Sequence, residues 1–372
     1  MTDTEPGLVA LDWGTTGLRA WLLDTGGRII DTRRSGRGLL TTTEGIDAHD
    51  PTAREAAYEE ALWAACGDWL TSYPRVPVAA CGMVGSAQGW VDSGYRTVPT
   101  EVDSASLVPV EHRAGVLRVV PGLRAASGAA PGDVMRGEEC QLAGVLDELG
   151  ERDEPFTVVL PGTHTKWVRV DRGRVTGFST AMSGEVYGLL TRHGILARTA
   201  GSAVRDDAAF ARGLAADRSR GLAAELFGAR PLVLDGLLDP ASLPDYVSGV
   251  LIADEVAHLL PADSSGTPGE VVLCGAADLC RRYATALADR GVRATVLGEE
   301  VTARGLWRIA GRAGLLGRQN DEHDVRDGRD GRDGRDGRDG RDGRDGRDGR
   351  DGRDGRDVRD GHDVRMEGTR RR

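Results

Sequence analysis

Phe156-Thr157-Val158-Val159-Leu160 runs into Pro161-Gly162-Thr163-His164-Thr165, and Lys166-Trp167-Val168-Arg169-Val170 follows. An unbroken apolar run reads as a buried strand, the Pro-Gly-Thr stretch as a tight turn, and the next run as a returning strand. The chain opens in the same manner. Leu8-Val9-Ala10-Leu11-Asp12 is a short apolar strand, Trp13-Gly14-Thr15-Thr16-Gly17 a turn, and Leu18 to Leu23 a second strand. Leucine, a Gly-Thr turn, tryptophan (Trp21, Trp167), aspartate (Asp24, Asp171) and Gly-Arg (Gly27-Arg28, Gly173-Arg174) recur in one order, with the second turn shorter. That repetition points to a duplicated α/β architecture with one copy opening each half.

The intervening segments fit such a plan. Ala57, Ala61, Leu62, Ala65 and Trp69 keep helical spacing between about Pro51 and Ser72. Val76 to Cys81 reads as a buried strand that enters the glycine-rich loop Gly82-Met83-Val84-Gly85-Ser86, and Met135 to Leu149 reads as a helix. In the second half, helices are expected over Tyr246 to Leu260, Asp278 to Arg290 and Thr302 to Leu316. A buried strand, Val271 to Cys274, is expected to end at Gly275-Ala276-Ala277. The boundaries expected are 1–130 for an N-terminal domain, 131–318 for a C-terminal domain and 319–372 for a tail.

Composition narrows the function classes. The chain has 372 residues, 40% of them hydrophobic, enough to fill two cores. A net charge of −10 disfavours nucleic acid and anionic membrane surfaces as partners. No opening segment joins a basic flank to a long apolar run, so neither a signal peptide nor an anchor is expected. Five cysteines without a C-x-x-C pair read as reduced thiols of a cytoplasmic protein. Among 48 basic residues there is a single lysine, Lys166. In so arginine-rich a chain, that position suits a compact, mobile ammonium that a planar guanidinium does not replace, unless the lysine survived by drift.

From about Asp321 the chain becomes a run of Arg-Asp-Gly units with nothing apolar to bury, and disorder is expected. Glycine every third residue matches the collagen period, but the proline that collagen needs is missing. Removing everything beyond Gly317 is expected to leave turnover unchanged; a clear loss of activity would contradict a passive tail.

Backbone N–H groups in tight glycine turns hold phosphates, because glycine lets the chain approach closely. Asp12 at a strand end, followed by Gly14, Thr15 and Thr16, offers a carboxylate for Mg²⁺ through water and donors for phosphate oxygens. An Asp-Gly hairpin of purely structural purpose has the same look. A second turn, Gly162-Thr163-His164, opens the other half, and Lys166 just beyond it can reach a transferring phosphate. Phosphoryl transfer to an alcohol also needs a carboxylate to take the hydroxyl proton. Asp133 and Glu138 are the candidates. By helical spacing Glu138 falls nearer the centre of the apolar face than Glu139, whereas Asp133 could serve only as an N-cap and Glu138 only as a partner of Arg136 or another arginine. Gly82, Met83, Val84, Gly85 and Ser86 with Trp90 would suit a hydroxylated ligand, or an ordinary strand-to-helix connection. Gly275 and Ala276 before a helix offer a flat surface for an adenine ring.

At these residues the sequence resembles the 2-dehydro-3-deoxygalactonokinase family, within the actin-like, sugar kinase and Hsp70 ATPase superfamily. The resemblance rests on Leu11-Asp12-Trp13-Gly14-Thr15-Thr16, Gly82 to Ser86 with Gly89-Trp90, and Asp133 to Glu139. It continues through Leu160 to Trp167 and Met182-Ser183-Gly184-Glu185-Val186-Tyr187. It implies two ribonuclease-H-like α/β domains flanking a nucleotide cleft, with ATP and Mg²⁺ at its base. The implied reaction moves the γ-phosphoryl group to the 6-hydroxyl of 2-dehydro-3-deoxygalactonate in galactose or galactonate breakdown, with Arg136, or less so Arg19, meeting the acid's carboxylate. The usual base of the superfamily is an aspartate at a helix beginning, which leaves Asp133 and Glu138 both open. Two other readings use the same cleft: a kinase for another sugar or sugar acid, and a nucleotide-binding regulator that needs no base.

Overall fold

Two six-stranded sheets share one strand plan. The structure, a computed structural model, describes residues 5–316 apart from 48, 105, 129–130, 151, 203, 218 and 262–268. The expected disorder of the Arg-Asp-Gly tail lies outside the described residues.

The first sheet begins with β1 (Pro6–Trp13), β2 (Leu18–Asp24) and β3 (Ile29–Ser35), an antiparallel meander. A short helix α1 (Leu39–Thr42) and the long α2 (Pro51–Ser72) return the chain to β4 (Val78–Gly82), which lies parallel to β1. Helix α2 covers the expected span. Asp50 caps it by accepting from the Ala53 N–H at 3.0 Å, and Pro51 occupies the first turn, where its missing N–H costs nothing. Next come β5 (Tyr95–Thr97), β6 (Thr100–Glu101), β7 (Val108–His112), β8 (Gly115–Val119), β9 (Gly122–Ala125) and β10 (Asp133–Met135). The first sheet therefore runs β3-β2-β1-β4-β8-β7, while β10-β9-β5 forms a small separate sheet.

Helix α3 (Glu138–Leu149) leads to the second meander: β11 (Phe156–Leu160), β12 (Thr165–Asp171) and β13 (Arg174–Ala181). Four helices follow: α4 (Ser183–Arg192), α5 (Asp207–Leu214), α6 (Leu222–Leu234) and α7 (Leu243–Leu259). Then β14 (Val271–Cys274), α8 (Ala277–Ala288), β15 (Ala294–Leu297) and α9 (Val301–Arg312) complete the described chain. This sheet runs β15-β14-β11-β12-β13-β6, with β14 parallel to β11 and β15 parallel to β14. The strand order β3-β2-β1-β4-β8 thus repeats as β13-β12-β11-β14-β15, the architecture that the duplicated turns foretell.

Helices α3 and α9 join the halves. A Cβ on Gly144 would collide with the Val301 carbonyl and one on Gly305 with the Cys140 carbonyl, so only glycine allows this close crossing. One core cluster accordingly mixes Leu8 and Ala10 of the first sheet with Val158 and Val168 of the second and with Leu142 and Leu306 of the two helices. Sandwiching buries α3 on nearly every side, from Glu139 to Leu146.

Three sequence expectations need correction. Helix α3 starts at Glu138 rather than Met135, because Asp133–Met135 pair with β9 and Gly137 turns the chain at φ 103°. Its cap is Gly137, so Asp133 is not an N-cap. Within α3 it is Glu139 that is fully buried, whereas the Glu138 side chain keeps 24% of its surface.

Candidate active site

The first turn is held rigidly at the end of β1. Gly14 donates to the Gly17 carbonyl at 2.8 Å, and the Leu39 and Leu40 N–H groups donate to the Gly14 and Thr15 carbonyls, each at 3.0 Å. Gly38 presses so closely on Thr16 and Gly17 that any side chain there would collide with their backbone. Thr15 and Thr16 are left exposed. Thr16 borders a pocket of about 240 Å³ shared by Asp12, Gly14, Arg19 and Arg34. Asp12 sits on its floor with 22% of its side chain exposed, 3.9 Å from the Arg19 guanidinium, and accepts a weak Cys81 thiol contact at 3.9 Å. Burial raises the Asp12 carboxyl above its ordinary range, and Arg19 pulls it part of the way back. Glu299, from the other half, bridges Arg19 at 3.3 Å and Arg34 at 3.6 Å.

The second turn is anchored from beneath by a buried polar chain. Gly162 donates to Thr165 Oγ1 at 3.4 Å, and Thr165 Oγ1 lies 3.0 Å from Tyr283 Oη. Tyr283 donates to Glu255 at 2.9 Å, and Trp167 Nε1 donates to the other Glu255 oxygen at 2.6 Å. Since the tyrosine proton goes to Glu255, Thr165 is the donor to Tyr283. Above, the start of α4 docks on the turn. Glu185 donates its N–H to the Thr163 carbonyl at 2.9 Å, His164 Nε2 donates to the Glu185 carboxylate at 2.6 Å, and Gly184 lies too close to Gly162 for any side chain. Gly162, Thr163, Ser183, Tyr187 and Arg282 line a cavity of about 330 Å³ beside the turn. Gly275 abuts the Pro161 carbonyl, and Ala276 caps α8 with no side-chain hydrogen bond. Neither lines that cavity; Leu279 and Tyr283 form the α8 wall instead.

Lys166 and Glu138 meet where the halves join. The lysine side chain is 6% exposed, and its Nζ lies 3.9 Å from Glu138 Oε1. The other Glu138 oxygen accepts from the Arg136 N–H at 2.9 Å. Burial raises the Glu138 carboxyl, Lys166 counteracts, and the field of Asp12 adds to the rise. Asp133 is engaged elsewhere. It accepts from the Thr180 N–H at 2.6 Å through one oxygen and from the Thr180 hydroxyl at 2.8 Å through the other, tying β10 to β13.

The glycine loop folds mostly inward. Val84 and Gly85 are buried, Ser86 donates to the Met83 carbonyl at 2.8 Å, and Trp90 is 7% exposed, packed 6.0 Å from Tyr58 and 6.3 Å from Trp13. Trp90 is thus part of the core and not a ligand wall. Gly82 is essential to the shape: at φ 89° its missing Cβ leaves room for the Trp13 carbonyl, and Gly137 packs against it. Met83 is half-buried at the loop's outer side. Arg136 is bound to Ser93 at 2.6 Å and the Gly94 carbonyl at 3.1 Å, under the ring of Tyr95. It braces this loop.

Sequence reading gave Glu139 no role and missed Glu255, Tyr283 and Glu299. Glu139 accepts from the Gly137 N–H at 2.7 Å, which fixes the turn that carries Glu138. Burial, reinforced by the Glu138 charge, pushes the Glu139 carboxyl up to about 8 from an ordinary 4.5. A carboxyl raised in this way contributes stability that is full below its unfolded pKa and is lost as pH rises through its folded one. Glu139→Gln is therefore expected to gain stability over the parent, by little near pH ~5 and by a few kcal/mol at most above pH ~8. Urea unfolding across that range checks this, and parallel stability curves would contradict it.

The two sheets, each opening on a strand–turn–strand meander and sharing one strand order, give the chain the actin-like, sugar kinase type of fold. The 2-keto-3-deoxy-galactonokinase family model matches residues 12–309, and the chain belongs to that family. It is 32% identical over 321 residues to a Rhizobium meliloti (strain 1021) protein named "Probable 2-dehydro-3-deoxygalactonokinase DgoK1", covering 82% of this chain and 96% of that one. It is 31% identical over 311 residues to the 2-dehydro-3-deoxygalactonokinase of Escherichia coli (strain K12), covering 81% and 97%. The crystal structure of a protein from Sinorhizobium meliloti assigned to the same activity superposes with a TM-score of 0.70 at 30% identity, over 83% of this chain and 99% of that one. Among the described residues, no helix is long and apolar enough to cross a membrane.

Proposed function

We propose that this chain transfers the γ-phosphoryl group of ATP to the 6-hydroxyl of 2-dehydro-3-deoxy-D-galactonate, in the cytoplasm, as a step of galactonate breakdown. The observation that supports it most is the Lys166–Glu138 contact at 3.9 Å, with Asp12 in the field of the same carboxylate. A phosphoryl acceptor site needs a base, a positive charge for the moving group and a carboxylate for the metal, and these three supply them.

In this reading Glu138 accepts the hydroxyl proton. It is partly open, and its raised pKa makes it a stronger base than an exposed glutamate. Asp133, with both oxygens on Thr180, is a strut. Lys166 neutralises charge on the transferring group. Thr15, Thr16, Gly14 and the Gly162–His164 turn cradle phosphates, and the 330 Å³ cavity beside α8 receives the base and ribose. Among the described residues no group of three or more histidine, cysteine or acidic side chains could hold a metal alone. Asp12 on its pocket floor fits the other mode, in which Mg²⁺ is held mainly by phosphates and water and meets one carboxylate through water. When bound, the ion would screen the phosphate charge. Gly82 and Met83 bound the acceptor side, with Arg136 bracing them. The partner is a small anionic sugar acid, with neither nucleic acid nor a membrane involved.

An ADP-release screen across 2-keto-3-deoxy sugar acids and simple hexoses tests the substrate class. Turnover confined to the sugar acids is expected, and preference for a hexose would contradict the proposal.

A further inference from the structure

Asp12, Arg19 and Arg34 stand side by side on neighbouring strands. Asp12 on β1 is paired with Arg19 on β2, and Arg19 with Arg34 on β3. Cross-strand partners in antiparallel pairs lie about 5 Å apart at Cβ, near enough for charged side chains to act on one another. All three residues line the pocket beside the first turn, so they share one face of the sheet. Left to itself, such a row has a preferred resting state. Two arginines directly opposite repel, and the aspartate attracts the nearer one. Arg19 would then close on Asp12 and neutralise the carboxylate proposed to meet the metal.

Glu299 opposes this from the other half. Arg19 gives it two contacts, Nη1 at 3.3 Å and Nη2 at 3.5 Å, against one looser approach to Asp12 at 3.9 Å. Arg34 reaches the same carboxylate at 3.6 Å. One acid thus serves two like charges and draws Arg19 off its cross-strand partner. Its place does not depend on those arginines. Glu299 lies in the short link between β15 and α9, its carbonyl accepts from the Thr302 N–H at 3.3 Å, and α9 is pinned against α3 by the close crossing at Gly144 and Gly305. We propose that Glu299 is a positioning residue for phosphoryl transfer: it holds Arg19 away from Asp12, which leaves the Asp12 carboxylate free for a divalent cation carried on nucleotide phosphates. This role rests on the kinase reading and adds to it a residue that acts through Arg19.

Calorimetric titration of the full chain with a β,γ-imido analogue of ATP, with and without Mg²⁺, tests this. The ratio of the two dissociation constants reports how much the cation contributes to binding. Glu299→Gln keeps the shape of the side chain and removes its charge. It is expected to shrink that ratio at least ~5-fold, because Arg19 then pairs with Asp12. In an Arg19→Gln background the same substitution should leave the ratio where Arg19→Gln alone sets it. A ratio unmoved by Glu299→Gln, with only the urea unfolding midpoint changed, would reduce Glu299 to a tie between the halves and overturn the positioning role. An equal drop with and without Arg19 would overturn it as well, and either result leaves the kinase reading intact. A parent chain that does not bind the analogue would overturn both.

Discussion

Lys166→Ala is expected to slow phosphoryl transfer about a thousandfold, roughly 4 kcal/mol of transition-state stabilisation, while ATP affinity changes by less than about tenfold. The reasoning is geometric. The ammonium is 6% exposed, so its charge acts with little screening by water, and it lies beside the carboxylate proposed as base. Charge develops on the moving phosphoryl group, and a preorganised cation gains most at that moment. Lys166→Arg should rescue little, because a planar fork does not occupy the place of a compact ammonium. The substitution has a second signature. Lys166 lowers the Glu138 pKa, so its loss should move the acidic limb of the kcat/KM profile toward higher pH. An unchanged rate and an unmoved limb would reduce Lys166 to a structural partner of Glu138.

The second large effect separates two carboxylates that the sequence leaves equal. Glu138→Gln should cost about 10²–10⁴ in kcat, the usual worth of a positioned base, with ATP still bound. Asp133→Asn should act differently. It weakens hydrogen bonds from the Thr180 N–H and hydroxyl, at a cost of about 1.5–3 kcal/mol in stability, and leaves kcat comparatively intact. Paired measurements of unfolding and single-turnover rate distinguish them. If Asp133→Asn abolishes turnover in a folded protein while Glu138→Gln does not, the assignment is reversed.

These two acids illustrate how far the sequence could be read. The paired meanders were legible because strands buried on both faces, such as Phe156–Leu160, are unbroken apolar runs bounded by turns. Strand β3 was not, since its residues are mostly half-buried or exposed and polar, with no pattern to betray pairing. Helix α4 was equally silent, having no fully buried residue. In the site, the Gly-Thr turns and the single lysine were visible as local features. The relative burial of Glu138 and Glu139 was not. A wheel drawn from Met135 assumes one apolar stripe, whereas α3 is buried almost all round between α9 and the two sheets, and Gly137 resets where the helix begins. Glu255 and Tyr283 reach the second turn across 88 and 118 residues of chain, a separation that no spacing rule covers. Arg136 and Trp90 carry chemistry-bearing side chains, yet the fold uses the first as a brace and the second as core.

Phosphoryl transfer to a sugar acid is proposed to take place beside the Lys166–Glu138 contact, in the field of Asp12. Its most direct test is phosphorus NMR of ATP, Mg²⁺ and 2-dehydro-3-deoxy-D-galactonate incubated with the full chain. ADP together with one new phosphomonoester signal coupled to the protons on carbon 6 is expected. ADP with inorganic phosphate alone, or a phosphomonoester on another carbon, would contradict it.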